Sequence, residues 1–181
     1  IHDFWMFCHR GQLINPQNWE ICPLPNAAQC TKCAAFHYQK DDFEPRLIEE
    51  RDEHIRQTLD CIDVFFAPSH TLEHFYINMG VDSRKIVYAK YGFNVSKLAK
   101  HPKELHPEIT FGFTGRIIHT KGVHLLCEAF NNVEGNARLL IYGDYESDYG
   151  KRLKEQYSSD RIQFKGPYHN NELQSVLDSL D

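Results

Sequence analysis

Six cysteines stand at positions 8, 22, 30, 33, 61 and 127, and four of them fall within 26 residues as C-x13-C-x7-C-x2-C. In the pair Cys30-Thr31-Lys32-Cys33 the two-residue gap lets both sulfurs turn toward one ion, which is half of a tetrahedral metal site. Cys8 and Cys22 would complete four thiolate ligands, with His9 and His37 as spare nitrogen donors. The stretch around them is polar and carries Pro16, Pro23 and Pro25, so it reads as a poorly cored loop that gains from a structural zinc. Free thiols are the competing reading. A disulfide has no support from any sign of secretion, and a redox-active pair lacks a preceding strand. Cys127 lies on the apolar side of Val123, Leu126 and Phe130 and reads as core. Cys61, between a helix and a strand, is expected to be buried as well.

A second group of residues has different chemistry. Thr114-Gly115-Arg116-Ile117-Ile118-His119-Thr120-Lys121-Gly122 leaves an apolar strand and enters a helix. Gly115 and Gly122 let the backbone approach a ligand, and Thr120 is expected to cap the helix that Lys121 opens. Arg116 and Lys121 set two cations beside free helix N–H groups, an arrangement suited to a diphosphate. A solvated Arg and Lys beside an ordinary turn is the plainer alternative. The loop is neither GxGxxG nor GxxxxGK[ST], and no GxSxG is present. His70 and His74 are an i, i+4 pair without the zinc-protease pattern, off the apolar face and therefore expected in solvent. The charges of residues 49–53 form a solvated helix face.

The elements that position these groups follow from periodicity. Residues 46–60 give a helix, with Ile48, Ile55, Leu59 and Ile62 recurring at helical spacing as one buried stripe. Residues 62–67 give a buried strand, Ser69 caps the next helix, and Leu72, Phe75, Tyr76 and Met79 form its inner face. Residues 85–89 form another strand. A polar stretch at 95–107 with two prolines marks a boundary. Beyond it strands at 108–113, 137–142 and 161–164 alternate with helices at 121–132, 148–158 and 171–180. The alternation implies an α/β fold with Rossmann-like parallel sheets. The 181 residues include 41% hydrophobic side chains and carry a net charge of −5, which excludes a disordered chain and disfavours a nucleic-acid binder. No apolar run approaches the ~18 residues of a membrane span. The opening Ile1-His2-Asp3-Phe4-Trp5 reads as a strand end, and residues 175–181 break off within a helical pattern, so a longer parent chain is expected.

These motifs, taken in order, resemble the retaining GT-B glycosyltransferases of family 4. Phe113-Thr114-Gly115-Arg116 with Lys121-Gly122-Val123 and Glu128-Ala129-Phe130 is similar to the donor-site signature. Residues 62–69 resemble the family's D-x-hydrophobic-x-A-x-S strand. Residues 85–87 and 91–94 resemble the segment often reading I-P-N-G-V-D, with Tyr91 in place of the common Asn. Leu139-Leu140-Ile141-Tyr142-Gly143 resembles L-x-I-x-G, and residues 162–166 with Glu172-Leu173 resemble V-x-F-x-G…E-L. The resemblance implies that both GT-B domains are partial. Residues 1–94 would be the C-terminal part of the acceptor-side domain, with a Cys-rich insertion at about 8–37. Residues 95–107 would be the interdomain linker, and 108–181 the first half of the nucleotide-sugar-binding domain, ending before the family's E-x7-E segment.

The implied activity moves a sugar from a nucleotide-sugar to a glycan or lipid-linked acceptor in surface polysaccharide synthesis. Arg116 and Lys121 would meet the charge growing on the diphosphate, so no catalytic metal is expected. His2 would face the sugars, or simply bond Asp3. Gly166-Pro167-Tyr168 would lie against the nucleotide base, or Tyr168 would only pack. Gly115, Arg116, Lys121, Gly122, Gly166 and Tyr168 are thus the implied donor-site residues. A cytoplasmic location with peripheral membrane contact is expected with such an activity, and the acidic net charge already argues for no nucleic-acid partner. The alternatives are a catalytically incomplete nucleotide-binding fragment and a zinc-stapled interaction domain.

Overall fold

The computed structural model describes residues 1–96, 98–99 and 106–181. The chain divides into two compact units, Ile1–Phe93 and Asn94–Asp181. The expected linker at 95–107 falls at the start of the second unit, and its residues 97 and 100–105 lie outside the described residues.

In the first unit, α1 (Ala27–Tyr38) and α2 (Pro45–Asp60) precede strand β1 (Phe65–Ala67), helix α3 (His70–Asn78) and strand β2 (Ile86–Tyr88). The strands pair in parallel, with Phe65 opposite Ile86. Pro45 opens α2, where its missing N–H costs nothing. Ile48, Ile55 and Leu59 are its buried stripe, while Ile62, expected on the same stripe, lies beyond the helix end. Ser69 caps α3, its side chain accepting from the Leu72 amide at 3.2 Å. The core gathers Ile55, Leu59, Phe65, Ala67, Leu72, Tyr76, Val81 and Ile86.

Four expectations fail in this unit. Helix α1 (Ala27–Tyr38) starts within the stretch expected as a loop; Asn26 caps it by accepting from the Gln29 amide at 3.0 Å. Residues 1–5 are not assigned to a strand: the Ile1 amine donates to the Phe66 carbonyl at 2.8 Å, and the Asp3 carboxylate accepts from the Trp5 amide at 2.8 Å where the chain bends into a turn at 5–7. Cys61 is exposed, because it follows the last turn of α2 at the surface. The strand at 62–67 is also shorter than expected: the Ile62 carbonyl accepts from Lys85 Nζ at 2.9 Å instead of entering the ladder.

Tyr76 is 1% exposed and its hydroxyl donates to the Asp3 carbonyl at 3.0 Å. Burial pushes its phenol up to about 12. Tyr76→Phe leaves that carbonyl without its donor, so the chain is expected to lose about 1 kcal/mol, read as a lower urea midpoint at unchanged slope.

The second unit has strands β3 (Ile109–Thr114), β4 (Ala137–Tyr142) and β5 (Ile162–Gly166) and helices α4 (Val123–Asn131), α5 (Asp148–Tyr157) and α6 (Leu173–Asp178). The strands form one parallel sheet in the order β3-β4-β5. Leu139, Leu140 and Ile141 are all buried, as a central strand covered on both faces demands. Ile117, Val123, Cys127, Phe130 and Leu153 complete the core, and Cys127 is fully enclosed as expected.

One cap is corrected. Helix α4 starts at Val123, not Lys121, and Thr120 does not cap it. His119–Lys121 form a 3₁₀ turn, and Gly122 adopts the left-handed conformation (φ 68°) with its amide donating to the His119 carbonyl at 3.0 Å. That glycine separates the turn from the helix. The sixth helix is likewise split, a 3₁₀ turn at Asn170–Glu172 preceding α6.

Candidate functional site

The C-terminal ends of all three parallel strands of the second unit open into one cavity of about 420 Å³. The loop after β3 contributes Gly115, Arg116, Ile117 and Ile118. The loop after β4 contributes Gly143, Asp144 and Ser147, with Tyr142 at the strand end. The loop after β5 contributes Pro167, Tyr168 and Asn170. This is where an open parallel sheet binds its ligands, because the strand ends splay and helix N-termini point inward.

Tight backbone contacts hold the three loops together. The Gly115 amide donates to the Tyr142 carbonyl at 3.0 Å, and the Gly143 amide donates to the Gly166 carbonyl at 2.9 Å. Ile117 is 2% exposed and anchors the first loop in the core, which leaves its neighbour Arg116 facing out. Arg116 is exposed, and no ion pair or hydrogen bond engages its guanidinium among the described residues. The Tyr142 and Tyr168 rings meet edge to face, 6.0 Å apart. Ser147 caps α5, its side chain accepting from the Gly150 amide at 3.2 Å, so the positive end of that helix also borders the cavity. Ser147→Ala removes the cap and is expected to cost about 1 kcal/mol, visible as a lowered melting temperature.

Of the residues picked from sequence, Gly115, Arg116 and Tyr168 line the cavity; Lys121, Gly122 and Gly166 do not. Lys121 is exposed on the 3₁₀ turn. The Gly166 carbonyl accepts from the amide of Gly143, which lines the cavity. Tyr142, Asp144, Ser147 and Asn170 were missed. Applying the strand-end rule to β4 and β5, as it was applied to β3, would have found them. Asp144 brings a carboxylate to the rim; one of its oxygens accepts from the Glu146 amide at 2.9 Å. Beside this loop the His119 and His124 rings stack at 4.5 Å, and His124 Nδ1 lies 2.8 Å from the Tyr149 hydroxyl. Burial and the neighbouring His124 hold His119 below the ordinary imidazole range.

His2 belongs to the first unit. Its imidazole is 84% exposed, 3.7 Å from the Asp3 carboxylate and 5.9 Å from the Tyr91 ring. His70 and His74 are exposed; His70 bonds Glu73 at 2.7 Å and stacks on Tyr88 at 4.1 Å.

The four clustered cysteines share a second, small cavity of about 30 Å³. All six cysteines are free thiols. Burial pushes Cys22 and Cys33 up and Cys30 to about 11. Among the described residues no three His, Cys, Asp or Glu side chains are grouped so as to hold a metal ion.

With this geometry in view, the likeness to known proteins is partial and specific. Residues 108–181 match the family described as glycosyl transferases group 1. A solved structure, the apo form of the lipopolysaccharide outer core galactosyltransferase WaaB, superposes with a TM-score of 0.51 over 65% of this chain, at 18% identity. The chain spans 35% of that structure's length. Each unit carries a parallel α/β arrangement of the Rossmann-like, GT-B type. No curated protein matches. No helix among the described residues is long and apolar enough to cross a membrane.

Proposed function

We propose that this chain is part of a retaining glycosyltransferase that takes a sugar from a nucleotide-sugar and passes it to a glycan or lipid-linked acceptor in surface polysaccharide synthesis. The observation that carries this reading is the cavity at three strand ends with Arg116 at its mouth, inside the segment that matches the group 1 family. The donor's anomeric C–O bond breaks, the nucleoside diphosphate departs with the electron pair, and an acceptor oxygen bonds the same carbon after losing its proton. A pre-placed guanidinium meets charge that grows on the diphosphate as that bond breaks, so it stabilises the transition state more than the ground state. Lys121, five residues on and outside the cavity lining, is the second cation of the same loop. Tyr168 and Pro167 offer a flat surface for a base, and Asp144 an acceptor for sugar hydroxyls. His2 is assigned to the acceptor side. Cation stabilisation by Arg116 takes the part a divalent ion plays elsewhere, and the working location is the cytoplasmic side of a membrane, with peripheral contact.

Titrating the chain with UDP, GDP and inorganic phosphate by calorimetry tests the reading. A nucleoside diphosphate bound at least tenfold more tightly than phosphate, with Tyr168 and Arg116 amides shifting in NMR spectra, supports it. Equal affinity for phosphate and both nucleotides overturns it.

A further inference from the structure

We propose that Cys8, Cys22, Cys30 and Cys33 bind one zinc ion through four thiolates, closing residues 8–33 onto helix α1. All four side chains line one cavity, although they come from three separate places in the chain. Cys8 ends the turn after Phe4, its amide donating to the Phe4 carbonyl at 2.8 Å. Cys22 leaves the short antiparallel bridge of Ile14 with Ile21, its amide donating to the Leu13 carbonyl at 2.7 Å. Cys30 and Cys33 sit one turn apart on a single face of α1. A volume near 30 Å³ admits an ion or a water molecule and no organic ligand.

Two observations bear on what fills that cavity. First, His9 Nδ1, His9 Nε2 and Arg10 Nε are buried without a hydrogen-bond partner among the described residues, and His9 lines the same cavity. Buried polar atoms of this kind are normally satisfied. Neutral thiols are weak acceptors, whereas a zinc tetrathiolate carries two net negative charges and accepts N–H bonds at sulfur, the usual outer partners of such a site. Second, Leu13 and Trp19 hold positive φ angles of 53° and 62°. Non-glycine residues keep that conformation only where their surroundings enforce it. Backbone bonds from the Trp19 amide to the Asn15 carbonyl at 2.9 Å and from the Cys22 amide to the Leu13 carbonyl at 2.7 Å hold these turns, and the enclosed hydrophobic residues from Cys8 to Cys33 are Cys8 and Leu13 alone, so the segment has little core to add to them. Among the described residues the thiols are not grouped as a metal site, so zinc binding draws together four side chains that line one cavity. Zinc binding releases the four thiol protons and changes no oxidation state.

The test uses the full chain purified without chelator. One zinc per chain by elemental analysis is expected, as is a cobalt-substituted form with the intense visible bands of a tetrahedral thiolate site. Cys33→Ser is expected to weaken zinc retention at least tenfold, while Cys61→Ser, at an exposed thiol outside the cavity, keeps one equivalent. Should Cys33→Ser fail to fold, the cobalt spectrum of the unsubstituted chain decides alone. Absence of zinc together with a weak octahedral cobalt spectrum, a disulfide between any two of the four, or equal zinc loss in both variants overturns the proposal. None of these readouts depends on nucleotide binding.

Discussion

Arg116→Ala is expected to weaken nucleoside diphosphate binding by about ten- to a hundredfold, while the melting temperature stays within ~2 °C of the parent. The affinity loss follows from one charge-assisted, two-pronged contact worth about 1.5–3 kcal/mol, with each 1.4 kcal/mol a factor of ten. The unchanged stability follows from exposure: the guanidinium engages no side chain or carbonyl among the described residues, so nothing in the fold depends on it. Arg116→Lys keeps the charge but loses the planar fork, and should recover only part of the affinity. Lys121→Ala should cost less than Arg116→Ala, because Lys121 lies outside the cavity lining. Calorimetric titration of the three variants at one fixed ionic strength measures all of this. Parental affinity in Arg116→Ala would remove the proposed donor site, whatever Lys121 does.

The second unit was readable from sequence because its strands and helices announce themselves by period. Leu139-Leu140-Ile141 is a run that only a strand buried on both faces tolerates, and Val123, Cys127 and Phe130 recur at helical spacing. Helix α1 was not readable for the opposite reason. Ala34 is its only buried residue, so it presents no apolar stripe. Its remaining clue was Asn26 three residues before Gln29, an N-cap in a stretch dominated by prolines and cysteines. The error at Thr120 arose from taking the nearest hydroxyl as the cap, when Gly122 in the left-handed region already separated turn from helix. At the site, Gly115 and Arg116 were accessible through the loop after β3. Ser147 and Asn170 follow β4 and β5, and they join that loop only because those strands pair in parallel alongside β3, a step that needs the strand-end rule carried to all three strands.

Convergence of those loops gives the other large expected effect. Gly143→Ala should destabilise the chain by about 2–4 kcal/mol and abolish measurable nucleoside diphosphate binding. A Cβ built on Gly143 overlaps the Gly115 carbonyl oxygen and comes 3.1 Å from Ile117 Cγ1. The obstacle is backbone, so no side-chain rotation relieves it, and overpacking of this kind is costly. Gly143 does not occupy the left-handed region, so the penalty is steric rather than conformational. Relief requires the β3 loop to lift, which breaks the 3.0 Å bond from the Gly115 amide to the Tyr142 carbonyl, or the β4 loop to drop, which breaks the 2.9 Å bond from Gly143 to Gly166. Either movement displaces Arg116 relative to Tyr168, so binding fails along with stability. Gly92→Ala is the matched control: nothing lies within 4 Å of its Cβ position and its φ is not positive, so it should change stability by less than about 0.5 kcal/mol. Denaturant titrations of both variants decide the matter, and a Gly143→Ala chain as stable as Gly92→Ala would mean that the two loops do not meet as closely as the geometry of the site demands.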